Sequence, residues 1–276
     1  MLILAATPIG NLADASPRLV EHLERCEYIA AEDTRSLLNL VHGLGIRHNA
    51  RLFSLHEHNE SDRLAQLVEL ATENDVLVVS DAGMPTVSDP GFLLVRACVE
   101  AGVDVTVIPG PSAVLSALAV SGLPTDRFTF EGFLPRKAGD RRKAFAALAT
   151  ETRTMVFFES PHRILESLED AASVLGATRQ ASVSRELTKK FEHTERGTLA
   201  DLVEWAKSEP KGEMVLVIAG GSAREVDAST LVQQVLELAA LGTGLKQAVG
   251  EIASANGVSK SELYSLALEA RKTEPR

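Results

Sequence analysis

Cysteine is scarce in this chain: Cys26 and Cys98 are the only two in 276 residues. That excludes a disulfide-rich scaffold. Both lie in stretches that read as helix, so they are expected to be reduced packing residues in a cytoplasmic protein. Positive charge is also short, with 28 Lys and Arg against 38 Asp and Glu and a formal net charge of −10. Such a chain repels polyanions in general, so any contact with nucleic acid has to be local, and no DNA or membrane partner is expected. Long apolar runs are missing: nothing approaches the roughly 18 consecutive apolar residues of a membrane-spanning helix. The start, MLILAATPIGN, has no cation ahead of its apolar run and reads as a first strand rather than a secretory signal. Absent too are the GxxxxGK[ST] and GxGxxG phosphate-binding fingerprints, and any spaced Cys/His cluster of the kind that holds zinc, so no metal site is expected.

What is present is a 45% hydrophobic chain, enough for more than one small domain. Short apolar runs alternate with helical patterns in the first half. LILAAT precedes a helix over Pro17–Glu27, YIAAED one over Ser36–Leu44, RLFSLH one over Asp62–Thr72, VLVVS one over Phe92–Ala101, and VTVIP one over Ser112–Val120. That alternation predicts βαβ units on a mostly parallel sheet. SGLPTDRF, with Gly122, Pro124 and Asp126, reads as a crossing point. A second α/β series follows, with strands in FTFEGF, TMVFFES, ASVSREL and EMVLVIAG and helices over Asp140–Thr150, Arg163–Val174 and Leu199–Lys207. From Ser229 on, only helical pattern remains. The predicted organisation is an N-terminal α/β domain over 1–121, a C-terminal α/β domain over 122–222 and a helical appendage over 223–276.

Within the appendage, Ala253, Gly257 and Leu263 have the spacing of a helix-turn-helix. Its basic residues Lys246, Lys260, Arg271, Lys272 and Arg276 are nearly balanced by Glu251, Glu262, Glu269 and Glu274, so a helical cap or dimer contact competes with a nucleic-acid contact.

In VLVVSDAGMPTVSDPG a strand runs into two Ser-Asp turns. Strand ends rich in glycine and small polar residues are where α/β folds bind ligands. Gly83 and Gly91 permit close backbone approach, Pro85 and Pro90 stiffen the loop, and Ser80, Asp81, Ser88 and Asp89 can bond the local backbone. A second glycine turn, Pro109-Gly110-Pro111, leads to a helix with Ser112 as its N-cap. Two ligand-type turns at neighbouring strand ends, without a pyrophosphate motif, predict a main-chain cradle for something other than a nucleotide phosphate. Near them stand carboxylates that could act as a base or orient one, Glu32 with Asp33 and Glu186 with Lys189, and these same pairs could instead be ion pairs bracing a cleft. His56, His58, His162 and His193 are further candidate bases. LPRKAGDRRK concentrates Arg136, Lys137, Arg141, Arg142 and Lys143 against the single Asp140, a local phosphate-binding signal.

TPIGNL (7–12), AEDTR (31–35), SDAGMPTVSDPG (80–91), PGPSA (109–113), GFLPRK (132–137), ESPHR (159–163), RELTK (185–189) and KGE (211–213), in this order, resemble the bacterial small-subunit ribosomal RNA cytidine 2'-O-methyltransferases of the tetrapyrrole-methylase superfamily. Met84 stands where that family usually has Thr. The resemblance implies two α/β domains with S-adenosylmethionine in the cleft between them, held by Pro8, Ile9, Asp81, Ala82, Gly83, Thr86, Ser112, Ala113, Phe158, Glu159 and Glu186. It implies a cytidine of the decoding region of 16S rRNA as target, on the small ribosomal subunit, and a homodimer. Asp33, Glu186 and Lys189 become the candidate catalytic residues, and Arg35 joins the five basic residues of the LPRKAGDRRK segment as a candidate RNA contact. The chemistry asks the protein mainly for alignment, worth roughly 7–11 kcal/mol, and for a base that takes the hydroxyl proton. Competing readings are a small-molecule tetrapyrrole methylase, a protein-directed methylase of diphthamide formation and a non-catalytic RNA-binding protein.

Overall fold

The computed structural model describes residues 1–56, 58–221, 228–256 and 258–273. Met1–Gly220 form one compact unit and Gly221–Arg276 a second.

The first unit holds two five-stranded sheets. Strands β1 (Leu2–Ala5), β2 (Tyr28–Ala31), β3 (Arg51–Ser54), β4 (Val76–Val79) and β5 (Val105–Ile108) pair in the order β3-β2-β4-β1-β5. Every pairing is parallel. Helices α1 (Pro17–Arg25), α2 (Thr34–Gly43), α3 (Glu60–Glu73), α4 (Phe92–Glu100) and α5 (Ala113–Val120) follow the five strands in turn. Strands covered on both faces need apolar residues at every position, which is why β4 is VLVV and buried throughout. Successive residues serve opposite faces: Leu77 and Val79 join one core with Leu19, Leu23 and Leu37, while Val76 and Val78 join another with Leu67, Leu94 and Cys98. Both cysteines are free and buried, as read from the sequence.

The second sheet combines β6 (Phe128–Phe133), β7 (Thr154–Glu159), β8 (Gln180–Arg185), β9 (His193–Thr198) and β10 (Met214–Ile218) in the order β6-β7-β10-β8-β9. Only β6 and β7 run parallel; the other pairings are antiparallel. β9 was not predicted. Its sequence, HTERGT, lies at the sheet edge with no buried residue, so it carries none of the apolar alternation by which a strand is recognised. Helices α6 (Ala138–Ala147), α7 (Ile164–Leu175) and α8 (Leu199–Ala206) complete this half. Phe157, Val183 and Leu216 pack with Phe145 and Leu168 in one core. On the opposite face, Val156, Val215 and Val217 pack with Val114, Ala117 and Leu118 of α5 and with Ile9. The last helix of the parallel half therefore packs on the second sheet, and the cleft between the halves is fixed by that apolar contact.

The second unit consists of α9 (Ala228–Ala240), α10 (Leu245–Asn256) and α11 (Lys260–Thr273) around a core of its own, with Leu231, Val235, Val249, Ala253, Leu263 and Ala267 buried. Gly257 of the predicted helix-turn-helix lies outside the described residues, while Ala253 and Leu263 are core positions.

Candidate active site

Because β1 sits between β4 and β5, the loops leaving the carboxyl ends of these strands are neighbours, and the end of β2 lies just beyond β4. This is the edge at which α/β sheets bind ligands. The loops are tied together: Thr7 and Gly83 exchange backbone hydrogen bonds of 2.9 and 3.1 Å. Gly83 has φ +82°, a left-handed conformation that an L side chain adopts only with strain. The far end of the loop is held by a residue distant in sequence. Glu60 at the start of α3 is buried, and its Oε1 accepts from the backbone N–H groups of Gly91 and Leu94, each at 3.1 Å. One carboxylate thus stands at the N-termini of both α3 and α4, where two helix dipoles favour its charge.

Between the loops and the second sheet lies a cavity of about 310 Å³, at the lower end of ligand-pocket sizes. Ile9, Asp81, Ala82, Gly83, Ser112, Ala113, Phe158 and Glu159 line it, all of them residues singled out in the sequence. Pro8 is buried, and Thr86 sits inside the loop, its N–H donating to Pro90 O. Neither Pro8 nor Thr86 is a lining residue. Sequence reasoning passed over Phe133, Leu187, Glu213 and Val215, which reach the cavity from the second half, because no local pattern distinguishes them from core or surface positions.

The carboxylates divide into two groups. Glu159 is spent structurally: it is buried, pairs with Arg163 at 2.6 Å and accepts from Ser167 Oγ at 2.6 Å. Asp33 is the N-cap of α2, accepting from Arg35 N at 2.8 Å and pairing with the Arg35 guanidinium at 2.7 Å. Hydrogen bonds from that guanidinium and the backbone hold its carboxyl down at about 2. Glu186 Oε1 accepts from Lys189 Nζ at 3.0 Å and from Glu213 N at 3.1 Å; the lysine bond leads in depressing its carboxyl. Gly212, at φ +98°, makes room for it, since a Cβ there would lie 2.3 Å from Glu186 Cγ. Asp33, Glu186 and Lys189, candidates for the base or its orienting groups, are thus paired charges, and none of them lines the cavity.

Glu32, Asp81 and Asp89 behave differently. All three line the cavity, and among the described residues none has a cation within ion-pairing distance. Glu32 Oε2 accepts from Asp81 N at 3.3 Å and Asp81 Oδ1 from Asp33 N at 3.2 Å, which knits the ends of β2 and β4 together. Burial first, then the neighbouring charges, pushes Glu32 above its ordinary range. Burial, with the charges of Glu32 and Asp81, raises Asp89 to about 6 against the pull of a Ser80 hydrogen bond. His56, His58, His162 and His193 are exposed and lie away from the cavity lining.

The basic segment also divides. Arg141 is 1% exposed: its Nε donates to Asp170 Oδ2 at 2.7 Å and its Nη2 faces Glu166 at 3.4 Å. In that buried position the guanidinium joins α6 to α7. Arg136 and Lys137 are exposed, as are Arg142, shared with Asp170 at 3.0 Å, and Lys143, 3.7 Å from Asp140. Arg35 is exposed but paired with Asp33.

Residues 1–203 match the family model described as "Tetrapyrrole (Corrin/Porphyrin) Methylases". The chain is 47% identical to "Ribosomal RNA small subunit methyltransferase I" of Mycobacterium tuberculosis, over 98% of this chain and 95% of that protein. It is 45% identical to the protein of the same name from Escherichia coli O157:H7, over 97% and 94%. The chain belongs to this methyltransferase family. Among solved structures it is similar to the methyltransferase CobJ, with a TM-score of 0.58 and 20% identity over 80% of this chain and 94% of that one. It is also similar to diphthine synthase, with a TM-score of 0.59 and 17% identity over 79% and 90%. At such identities these likenesses speak for the fold alone, two α/β sheets of the tetrapyrrole-methylase type. Among the described residues no helix is long and apolar enough to cross a membrane.

Proposed function

We propose that this chain transfers a methyl group from S-adenosylmethionine to the 2'-hydroxyl of a cytidine in the decoding region of 16S rRNA, acting on the small ribosomal subunit in the cytoplasm as a homodimer. The observation that carries this reading is near-full-length identity of 41–47% to relatives named for small-subunit rRNA methylation. The cavity supports it. S-adenosylmethionine carries positive charge on its sulfonium and amino groups, which suits an apolar pocket edged by the unpaired carboxylates of Glu32, Asp81 and Asp89. Its carboxylate suits the first turn of α5, where Ser112, Ala113 and Val114 line the cavity beside amides that a helix N-terminus leaves free. Ile9, Phe158, Leu187 and Val215 offer apolar surface for a purine.

When bound, the cofactor supplies an electrophilic methyl, so the chain's own residues have to align a hydroxyl and take its proton. Asp89 is the base in this reading. It lines the cavity with no ion pair among the described residues, and at about 6 it is ionised at neutral pH yet basic enough to share a proton. Glu32 and Asp81 tune it. Asp33 and Glu186, each paired with a cation, brace the site.

The test is methyl transfer from labelled S-adenosylmethionine to small subunits lacking the mark, with the product mapped nucleotide by nucleotide. One 2'-O-methylcytidine near the decoding site is expected. Cofactor binding with no transfer to RNA would overturn the substrate and turn attention to tetrapyrrole acceptors.

A further inference from the structure

Phe133 is unusual among the aromatic residues of this chain. It is 61% exposed and it lines the cavity. Burying such a ring is normally favourable, so a phenylalanine left open at the mouth of a pocket marks a surface that something else covers. Its position is built rather than incidental. The pairing of β6 with β7 loses register between Phe130 and Phe133, and Gly132 in the bulge has φ +69°, which turns the ring out of the sheet pattern. The ring leans on Phe158, with centroids 5.3 Å apart, and Phe158 leans on Phe130 at 4.9 Å.

The residues just after it are clamped from below. Leu134 is buried, its carbonyl accepting from Arg163 Nη1 at 3.2 Å, and the carbonyl of Arg136 accepts from the buried Arg141 at 3.4 Å. Arg136 and Lys137 then project from this anchored stretch, exposed. An open aromatic face and two exposed cations, four residues apart at most and held on a rigid segment, match the chemistry of a single-stranded nucleotide, with its base stacked on the ring and its phosphates on the cations.

We infer that Phe133, with Arg136 and Lys137, forms a nucleotide subsite at the cavity mouth, in which an unstacked base of the RNA strand lies on the Phe133 ring. The inference rests on the RNA substrate proposed above. It gives Arg141 a role as the buttress that presents the cations.

The experiment compares wild type, Phe133→Ala, Phe133→Tyr and the double variant Arg136→Glu, Lys137→Glu in methyl transfer to small subunits at saturating S-adenosylmethionine, with cofactor Kd measured separately by calorimetry. Phe133→Ala is expected to raise KM for the subunits by about tenfold or more, leaving the cofactor Kd within about twofold, and Phe133→Tyr to restore KM. The double variant is expected to raise the same KM and flatten its salt dependence. An unchanged KM in Phe133→Ala, or a cofactor Kd weakened by the same factor, would overturn the subsite while leaving the proposed reaction intact. Wild-type protein that binds cofactor but methylates no subunit would overturn both.

Discussion

At the scale of single residues, the site is governed by which charges are neutralised and which are left open. Asp33 and Glu186 have cations and backbone donors on them; among the described residues, Glu32, Asp81 and Asp89 form no ion pair. A base must be deprotonated, so kcat/KM is expected to fall about tenfold per pH unit below about 6 and to level off above it. Asp89→Asn should remove that limb and lower kcat by about 10²-fold or more, whereas Asp33→Asn should leave kcat close to wild type. Glu32→Gln removes one of the charges that raise Asp89, so its acid limb should move to lower pH; a limb that stays in place would rule Asp89 out as its source. Arg141 offers a contrast between burial and exposure. Arg141→Met leaves Asp170 without its buried partner and is expected to lower stability by on the order of 3 kcal/mol, read as a denaturation midpoint. Arg142 still faces Asp170, which limits the loss.

At the scale of elements, the loop between β4 and α4 is the part on which the cavity depends, and it is held at both ends by residues outside it. Thr7 pairs with Gly83 near its start, and Glu60 bonds Gly91 and Leu94 at its finish. Glu60→Ala would strand two N–H groups, at a cost of roughly 1–3 kcal/mol, and loosen the loop. Cofactor Kd should rise severalfold with kcat at saturation nearly unchanged. Glu60→Gln keeps an acceptor and should retain most of the affinity; equal losses in both variants would argue that charge, and not the hydrogen bonds, matters there. The loop's glycines, prolines and Ser-Asp pairs were legible in the sequence because turn chemistry is local. Glu60 was not, since nothing near it in the chain signals partners 31 and 34 residues away. The same distinction explains β9, whose pairing with β8 is the only thing that makes HTERGT a strand.

At the scale of the whole molecule, Met1–Gly220 and Gly221–Arg276 each have their own core. A chain ending at Gly220 is therefore expected to fold and to bind S-adenosylmethionine with unchanged Kd, since every cavity-lining residue lies within it. A large loss of cofactor affinity on truncation, measured by calorimetry, would contradict that. If the truncated chain also methylates small subunits with wild-type KM, the helical unit makes no RNA contact that the reaction needs. A rise in KM alone would identify the unit as the second RNA-binding surface.

The sequence by itself determined the βαβ alternation, the helices, the two ligand-type turns and, through ordered motifs, the family. These rest on local propensity, on two-residue and 3.6-residue periodicity, and on short contiguous patterns. Only the tertiary structure decided which charged residues face the cavity and which are spent on ion pairs. It buried Arg141 against Asp170, tied Asp33 to Arg35 and left Asp89 open. The physical reason is that a side chain's charge state and reach depend on what surrounds it in space, and residues such as Asp89, Phe133 and Glu60 meet their surroundings across segments the chain brings together only when it folds.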